Sequence, residues 1–382
     1  MHSFWFISLF PAIYCIIYCN ILRKYYNPGP DITVDEQLVP FRGRVPFKQY
    51  IPSKPAKYGI KIWWCCDAGT SYPLNADVYL GRQPNEPRQT NQGSSVVRKL
   101  VEPWYRSGRN VVGDNFFTSC ELAEFLLLQN LTYVGTIRRN KADIPEEMKA
   151  SRARTELSSV FGFSGQQTLV SYVPKKNKAV ILLSTLHHDK VLAGNKMKPE
   201  IILHYNQTKS GVDNLDHLIT NCTCKRKTNR WPMVLLMNML DVGGIASLVV
   251  WLANNPTWNE RRPRQRRRLF LVELGEQLVS AQIRRRVQTD WQHCSLAIRT
   301  AAASLGFARN PPQQATIAAR PSNGRCHLCP RSADKKSRKR CSECMQCVCT
   351  QHSTELLTCD SCQNWQCVWQ CVFGDSFLNI GY

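Results

Sequence analysis

A chain of 382 residues, 43% hydrophobic and 10% aromatic, is long enough to bury one large core or two moderate ones. Its formal charge of +22, from 50 Lys and Arg against 28 Asp and Glu, argues against an ordinary soluble enzyme and points to a polyanionic partner, nucleic acid first and anionic membrane second. Ten of its 18 cysteines crowd between Cys326 and Cys371, unlike a short secreted disulfide protein, and the clustering points to zinc in a reducing compartment.

The chain opens on a nearly uninterrupted apolar run, Phe4 to Leu22, broken by Pro11 and followed by Arg23 and Lys24. Its length approaches the roughly 20 residues of a bilayer span, but no positive charge precedes it as in a signal peptide. A buried helix is the expectation and a signal anchor the alternative. After the break at Asn27-Pro28-Gly29-Pro30, strands are expected at Ile32–Asp35, Tyr58–Cys66 and Leu74–Leu80. A helix (Val96–Tyr105), a strand (Asn110–Asp114), a helix (Cys120–Leu128) and a strand (Leu131–Ile137) follow. Three early strands and then alternation is the order of an RNase H-like α/β core, in which strands one and four lie side by side.

From Lys141 to Tyr205 the alternation stops, and Thr168–Val173 with Lys178–Leu183 around the KKNK turn reads as a β-hairpin. The apolar run from Pro232 to Ala253, interrupted at Gly243 and Gly244, reads as packed helices. The basic run RRPRQRRR ends at Arg268 and suits either nuclear import or a DNA contact. An amphipathic helix is expected over Leu269–Leu296, then a Pro-, Gln- and Ala-rich linker to Gly324.

Four aspartates stand out along this pattern. Asp35 follows the β-branched Ile32, Thr33 and Val34; Asp114 follows Val111 and Val112 and precedes two phenylalanines; Asp213 and Asp216 sit three apart with helical spacing, facing the same way. Taken singly, such residues are usually turn formers or helix caps. Together, carboxylates on two strand ends and a later helix are what a two-metal phosphoryl-transfer site needs, because ions about 4 Å apart require clustered anions. Glu36 would point to the opposite sheet face. Cations flank these islands: Lys209, Lys225, Arg226, Lys227 and Arg230 with Trp231 near the last aspartates, and Arg42, Arg44, Lys48 and Lys57 after the first. They suit a phosphate backbone, with the indole available to a base; a solvated basic loop is the plainer reading.

Near the C-terminus the chain carries Cys326-x2-Cys329, Cys341-x2-Cys344, Cys349-x2-His352 and Cys359-x2-Cys362. Structural zinc takes four S or N ligands, so four pairs make two tetrahedral sites. In a cross-brace, pairs one and three hold one Zn²⁺ and pairs two and four the other; Cys347 could stand in for Cys349. Lys335, Lys336, Arg338, Lys339 and Arg340, between the first two pairs, make this module cationic and suited to DNA.

The strings TVDEQLVPFRGR, SKPAKYGIKI, DNFFTS, YNQTKSGVDNLD and RKTNRWPM, in that order, resemble the piggyBac family of DNA transposases from about Tyr25 to the cysteine cluster. The resemblance implies that Asp35, Asp114, Asp213 and Asp216 are catalytic and hold Mg²⁺ or Mn²⁺, for DNA strand cleavage and strand transfer. It implies a layout of an apolar segment (1–24), an RNase H-like core (25–217) with a mainly-β insertion (about 141–205), and a helical dimerisation and DNA-binding region (218–300). A linker (301–324), a RING- or PHD-like cross-brace (325–363) and an atypical tail (364–382) complete it. The implied partners are double-stranded DNA, as transposon ends and target, and a second copy or a full-length relative, in the nucleus, with no stable membrane partner. Two departures stand out. Only 34 residues precede Asp35 where relatives carry a long N-terminal region, and two further cysteines follow the last pair. They leave open a catalytically silent DNA- or chromatin-binding derivative. A ubiquitin-ligase-like adaptor is a third reading, opposed by the basic tail and by a lone histidine in sixth rather than fourth ligand position.

Overall fold

The structure, a computed structural model, describes residues 18–81, 91–290, 294–307 and 323–353 except 343. The chain divides into two compact units, Met1–Arg267 and Arg268–Tyr382. Most of the expected apolar N-terminal helix lies outside the described residues. Its last turns form α1 (Cys19–Tyr25), whose Cys19 and Leu22 are buried in the first unit's core.

A nine-stranded sheet organises that unit. Strand β1 (Asp31–Pro40) lies at its centre, antiparallel to β3 (Tyr58–Asp67) and parallel to β5 (Asn110–Gly113), which is parallel in turn to β6 (Thr132–Thr136). The short β2 (Gln49–Tyr50) and β4 (Pro73–Val78) both pair with β3. Strand β3 reads YGIKIWWCCD, and its Trp63, Trp64, Cys65 and Cys66 are all buried, because a central strand covered on both faces needs a continuous apolar run rather than alternation. The strand expected at Ile32–Asp35 continues to Pro40, since its ladder with β3 runs on to the Pro40–Gly59 pair. Asp35 is therefore mid-strand, at the level where β5 stops accompanying β1.

Helices α2 (Gln92–Val101) and α3 (Cys120–Leu128) pack with Val111 and Tyr133, while Val112 and Val134 turn to the other face and meet α4 (Glu200–Thr208). The helix expected at Val96–Tyr105 starts earlier and ends in a tight turn over Glu102–Trp104, where Pro103 removes a backbone donor. Strands β7 (Ser159–Ser164), β8 (Gln167–Lys175) and β9 (Lys178–Ser184) form the expected hairpin and one strand more. They extend the central sheet, with β9 pairing β6 at Val134–Ser184 and Gly135–Leu183. A small ribbon, β10 (Leu192–Ala193) with β11 (Lys198–Pro199), leads into α4.

Helix α5 (Gly211–Asn221) follows α4, and then α6 (Trp231–Asn254). The packed helices expected from Pro232 are one continuous helix. Gly243 and Gly244 do not break it: a Cβ at Gly243 would stand 3.3 Å from Tyr18 Oη, which donates to Met239 O at 2.7 Å, so the glycine makes room for that side chain. By length and composition α6 could cross a membrane, but half of its most apolar stretch is buried inside the protein. Helix α7 (Arg266–Asp290), nearly all of it in the second unit, begins within the basic run rather than after it. The segment expected as linker opens with a further helix, α8 (Leu296–Ser304), capped by Ser295 and burying Ile298 and Ala302.

Glycine also shapes the turn after β5. A Cβ at Gly113 would lie 2.5 Å from the buried Tyr133 Oη. Gly113→Ala should therefore destabilise the fold by roughly 1–3 kcal/mol through overpacking; a chemical denaturation midpoint indistinguishable from that of the unmodified chain would refute this.

Candidate active site

The parallel pairing of β1 with β5 ends at Val34 opposite Gly113, so the next residues, Asp35 and Asp114, emerge level on adjacent strands. Side chains alternate along a strand, so Thr33, Asp35 and Gln37 share one face of β1. Helix α5 runs along that face. Thr33 Oγ1 donates to Thr208 O at 2.6 Å, and a Cβ at Gly211 would stand 3.2 Å from Thr33, a close approach that seats the first turn of α5 on the sheet. Asp213, in that first turn, thereby joins the two strand aspartates. Thr33, Asp35, Asp114, Tyr205, Lys209 and Asp213 line one cavity of about 240 Å³.

Each carboxylate is held differently. Asp114 Oδ1 accepts the Phe116 N–H at 2.8 Å, and its carbonyl accepts Thr118 Oγ1 at 2.8 Å. Thr118 Oγ1 lies 2.8 Å from Tyr133 Oη, so the turn is locked into the core. Asp35 Oδ1 accepts the Glu36 N–H at 2.7 Å. Burial, then the charge of Glu36, with those of Asp114 and Asp213 adding, pushes the Asp35 carboxyl up to about 7. Asp213 is more open and meets Lys54 Nζ at 3.6 Å. Burial likewise raises the Tyr205 phenol.

Three carboxylates lining a small polar cavity, one of them costly to ionise without a counter-charge, have the oxygen-donor chemistry that hard divalent cations take. The raised group sets a pH dependence for the metal-free chain. A carboxyl whose folded pKa lies above its unfolded value contributes stability that is present below about pH 4 and lost as pH rises through about 7. The interval corresponds to about 4 kcal/mol. Asp35→Asn should raise the thermal midpoint of the metal-free chain at mildly alkaline pH and change it little near pH 4. Equal midpoints at both pH values would contradict this.

Asp216 is placed apart from the other three. One turn beyond Asp213, it accepts Gln37 Nε2 at 2.9 Å and lines a neighbouring cavity of about 600 Å³. That cavity joins the two basic stretches, with Arg42 on one side and Lys225, Arg226 and Lys227 on the other. Lys225 Nζ bonds Pro40 O, and burial lowers its pKa. Arg44 and Arg230 are exposed and not among the lining residues. Lys209 is exposed at the acidic cavity. Trp231 is half-buried, its ring edge-on to Phe47 at 5.4 Å, and belongs to the periphery of the core.

Two cations were not singled out from sequence. Besides meeting Asp213, Lys54 Nζ donates to Glu36 O at 3.0 Å. Lys61 Nζ sits 3.5 Å over the Trp63 ring, its pKa lowered by burial against the opposing pull of Glu36, Asp114 and Asp35. Both lie in the string SKPAKYGIKI, and only the pairing of β3 with β1 brings that string to the acidic cluster.

In the second unit Cys326, Cys329, Cys349 and His352 bring four donor atoms within 4.8 Å of one another. Cys329 Sγ lies 3.7 Å from Cys349 Sγ and 3.5 Å from His352 Nδ1, which is 3.3 Å from Cys349 Sγ and 3.8 Å from Cys326 Sγ. These are close to the roughly 3.8 and 3.6 Å edges of a tetrahedron with metal bonds of about 2.3 Å to sulfur and 2.1 Å to nitrogen. Pairs one and three thus converge. Cys347 stays outside the group, buried against Gly324. Cys341 and Cys344 pack with Leu328 and Val348, while Cys359 and Cys362 lie outside the described residues. Lys335, Lys336, Arg338 and Lys339 are exposed around the module, and Arg340 is half-buried.

Comparison with known proteins gives one answer. The transposase family described as Transposase IS4 matches residues 16–246. The human PiggyBac transposable element-derived protein 3 is 27% identical over 215 residues, 52% of this chain and 36% of that protein. The human Chimeric ERCC6-PGBD3 protein is likewise 27% identical over 215 residues, or 20% of its own length. The chain thus spans about a third or less of these two relatives. A solved structure, a cryo-EM piggyBac transposase synaptic complex with hairpin DNA, is 37% identical with a TM-score of 0.68, covering 91% of this chain and 72% of that one. The family match over more than half of the chain, the piggyBac-derived relatives and the shared fold establish that the chain belongs to the piggyBac transposase family.

Proposed function

We propose that this chain is a piggyBac-type enzyme that cleaves DNA strands and transfers them, with Asp35, Asp114 and Asp213 holding Mg²⁺ or Mn²⁺. The observation that carries this is the convergence of the three carboxylates on one cavity, with the Asp35 carboxyl pushed to about 7. The bound cations would lower the pKa of the attacking water or DNA 3′-hydroxyl and stabilise the leaving oxygen. The chain's own residues do the rest. The turn at Asp114, locked through Thr118 and Tyr133, fixes one carboxylate and leaves its second oxygen for the cavity. Asp35, buried and costly to ionise by itself, would be held ionised by the bound cation. Lys209, at the cavity, offsets the charge of an incoming phosphate. Arg42, Lys225, Arg226 and Lys227 line the adjacent cavity, where they would hold the flanking backbone.

In this reading the core spans 25–217 in an RNase H-like arrangement with its insertion at about 141–205, followed by the helical region 218–300 and the cysteine-rich module 325–363. The module would hold Zn²⁺ at Cys326, Cys329, Cys349 and His352, with a second ion at Cys341, Cys344, Cys359 and Cys362. Its cationic surface would contact DNA, and the enzyme would act in the nucleus as a dimer on double-stranded DNA. The test is cleavage of a labelled duplex carrying transposon ends. Cleavage should require Mg²⁺ or Mn²⁺ and disappear in Asp35→Ala while DNA affinity persists and falls steeply with salt. Cleavage that survives without Asp35 would sink the assignment. DNA binding without cleavage in the unmodified chain would favour the silent DNA-binding derivative.

A further inference from the structure

Along one face of β1 every second residue meets a partner on the α4–α5 segment. Asp31 Oδ1 lies 3.0 Å from His204 Nε2, Thr33 Oγ1 donates to Thr208 O at 2.6 Å, Asp35 shares its cavity with Asp213, and Asp216 accepts Gln37 Nε2 at 2.9 Å. Three of these four rungs are hydrogen bonds. The remaining one sets two carboxylates against each other in a partly desolvated site, where like charges repel. The repulsion acts to push α5 off the sheet, and the flanking rungs oppose it.

The outermost rung is built most firmly. A carboxylate can only accept, so His204 Nε2–H donates to Asp31. Asn110 Nδ2 donates to the same Asp31 oxygen at 2.8 Å, and Thr132 Oγ1 donates to Asn110 Oδ1 at 3.0 Å. The imidazole of α4 is thus pinned to the starts of β1, β5 and β6, the first two being the strands that present Asp35, midway along β1, and Asp114, just past the end of β5. Asp31 and Asp35 are four residues apart on a strand, about 13 Å. From His204, α4 continues rigidly to Tyr205, Thr208 and Lys209 and hands over to Asp213. The other end of the ladder is seated by Gln37, whose Oε1 accepts Trp64 Nε1 at 2.9 Å and Asn238 Nδ2 at 3.2 Å.

We infer that His204, through Asp31 and Asn110, is a positioning residue that holds Asp213 against Asp35, in register for a shared cation, although it lies outside their cavity. The inference rests on the assignment of Asp35, Asp114 and Asp213 to metal. In the ladder Asp216 completes a rung with Gln37, so a positioning part falls to it as well.

The test uses the full chain with His204→Leu, His204→Gln, whose amide can still donate to Asp31, and Asp31→Leu. Calorimetric titration with Mn²⁺ should show weaker binding in both leucine variants, by roughly the 10–100-fold typical of losing an outer partner of a ligand, with substantial recovery in His204→Gln. In the metal-free proteins, amide hydrogen exchange should accelerate in α5 of the leucine variants while β3 stays protected. Unchanged Mn²⁺ affinity in His204→Leu, or weakening equal in the Gln and Leu variants, would overturn the inference. So would loss of protection spread evenly over α5 and β3, which would mark His204 as a general stabiliser. Failure of the unmodified chain to bind Mn²⁺ would instead sink the metal assignment itself, and the positioning role with it.

Discussion

Replacing Asp114 by Asn is expected to abolish divalent-metal binding while leaving the chain folded. The amide is isosteric and can still accept the Phe116 N–H that shapes the turn, so the local geometry survives. What is lost is one of three anions around a cavity of about 240 Å³. Loss of an outer partner of a ligand costs roughly 10–100-fold in metal affinity, and loss of a ligand itself should cost at least as much. Strand cleavage should fall further, by a thousandfold or more, beyond the roughly 10²–10³-fold typical of losing one electrostatic stabiliser. Calorimetry with Mn²⁺ and a single-turnover cleavage assay check the two effects separately. Binding indistinguishable from that of the unmodified chain would mean that the carboxylates do not act together.

The second large effect concerns the cysteine module. A small module with a core as slight as Cys341 and Val348 packed on Leu328 and Cys344 cannot fold on apolar burial alone. Structural zinc contributes apparent binding energies of about 10–16 kcal/mol in modules of this kind, most of it expressed as folding. Cys349→Ser, which removes the donor nearest His352, is therefore expected to unfold the module and release zinc from the full chain, as should excess chelator. Metal content by mass spectrometry under native conditions, with hydrogen exchange across 323–353, provides the check. A variant that keeps its zinc, or a module protected from exchange in chelator, would contradict the assignment. The spare thiol at Cys347 should not rescue it, because its side chain is buried against Gly324 rather than turned to the cluster.

Local signals served well where the physics is local. Asp114 stands where a β-branched strand ends and a side-chain-capped turn begins, and both features lie within five residues. Helix α3 matches its expected range to the residue, and Ser119 caps its start, accepting the Leu122 N–H at 3.1 Å. Ligand spacing marks out the pairs at Cys326, Cys329, Cys349 and His352, and the cross-brace expectation that joins pair one to pair three agrees with their convergence. The same locality misled at Gly243 and Gly244, which read as a break. Gly243 instead makes room for Tyr18, far away in sequence. Asp35 read as a strand end because the β-branched run stops there, but strand length is decided by the partner, and β3 keeps pairing to Pro40.

Sequence by itself pointed to the family, the aspartates proposed to bind metal, the cationic character and the Cys/His pairs, because each is written in residue type and spacing. The tertiary structure decided which of these groups meet. It set Asp213 beside Asp35 and Asp216 beside Gln37, a distinction invisible in a helix repeat that points both aspartates the same way. It joined Arg42 to Lys225 across one cavity and drew Trp231 toward the core. The reason is that rise per residue differs between the elements: about 1.5 Å along a helix against about 3.3 Å along a strand. Which helix residue faces which strand residue is then set by the anchors at Thr33, Gly211 and His204, and no pattern within either segment contains that register.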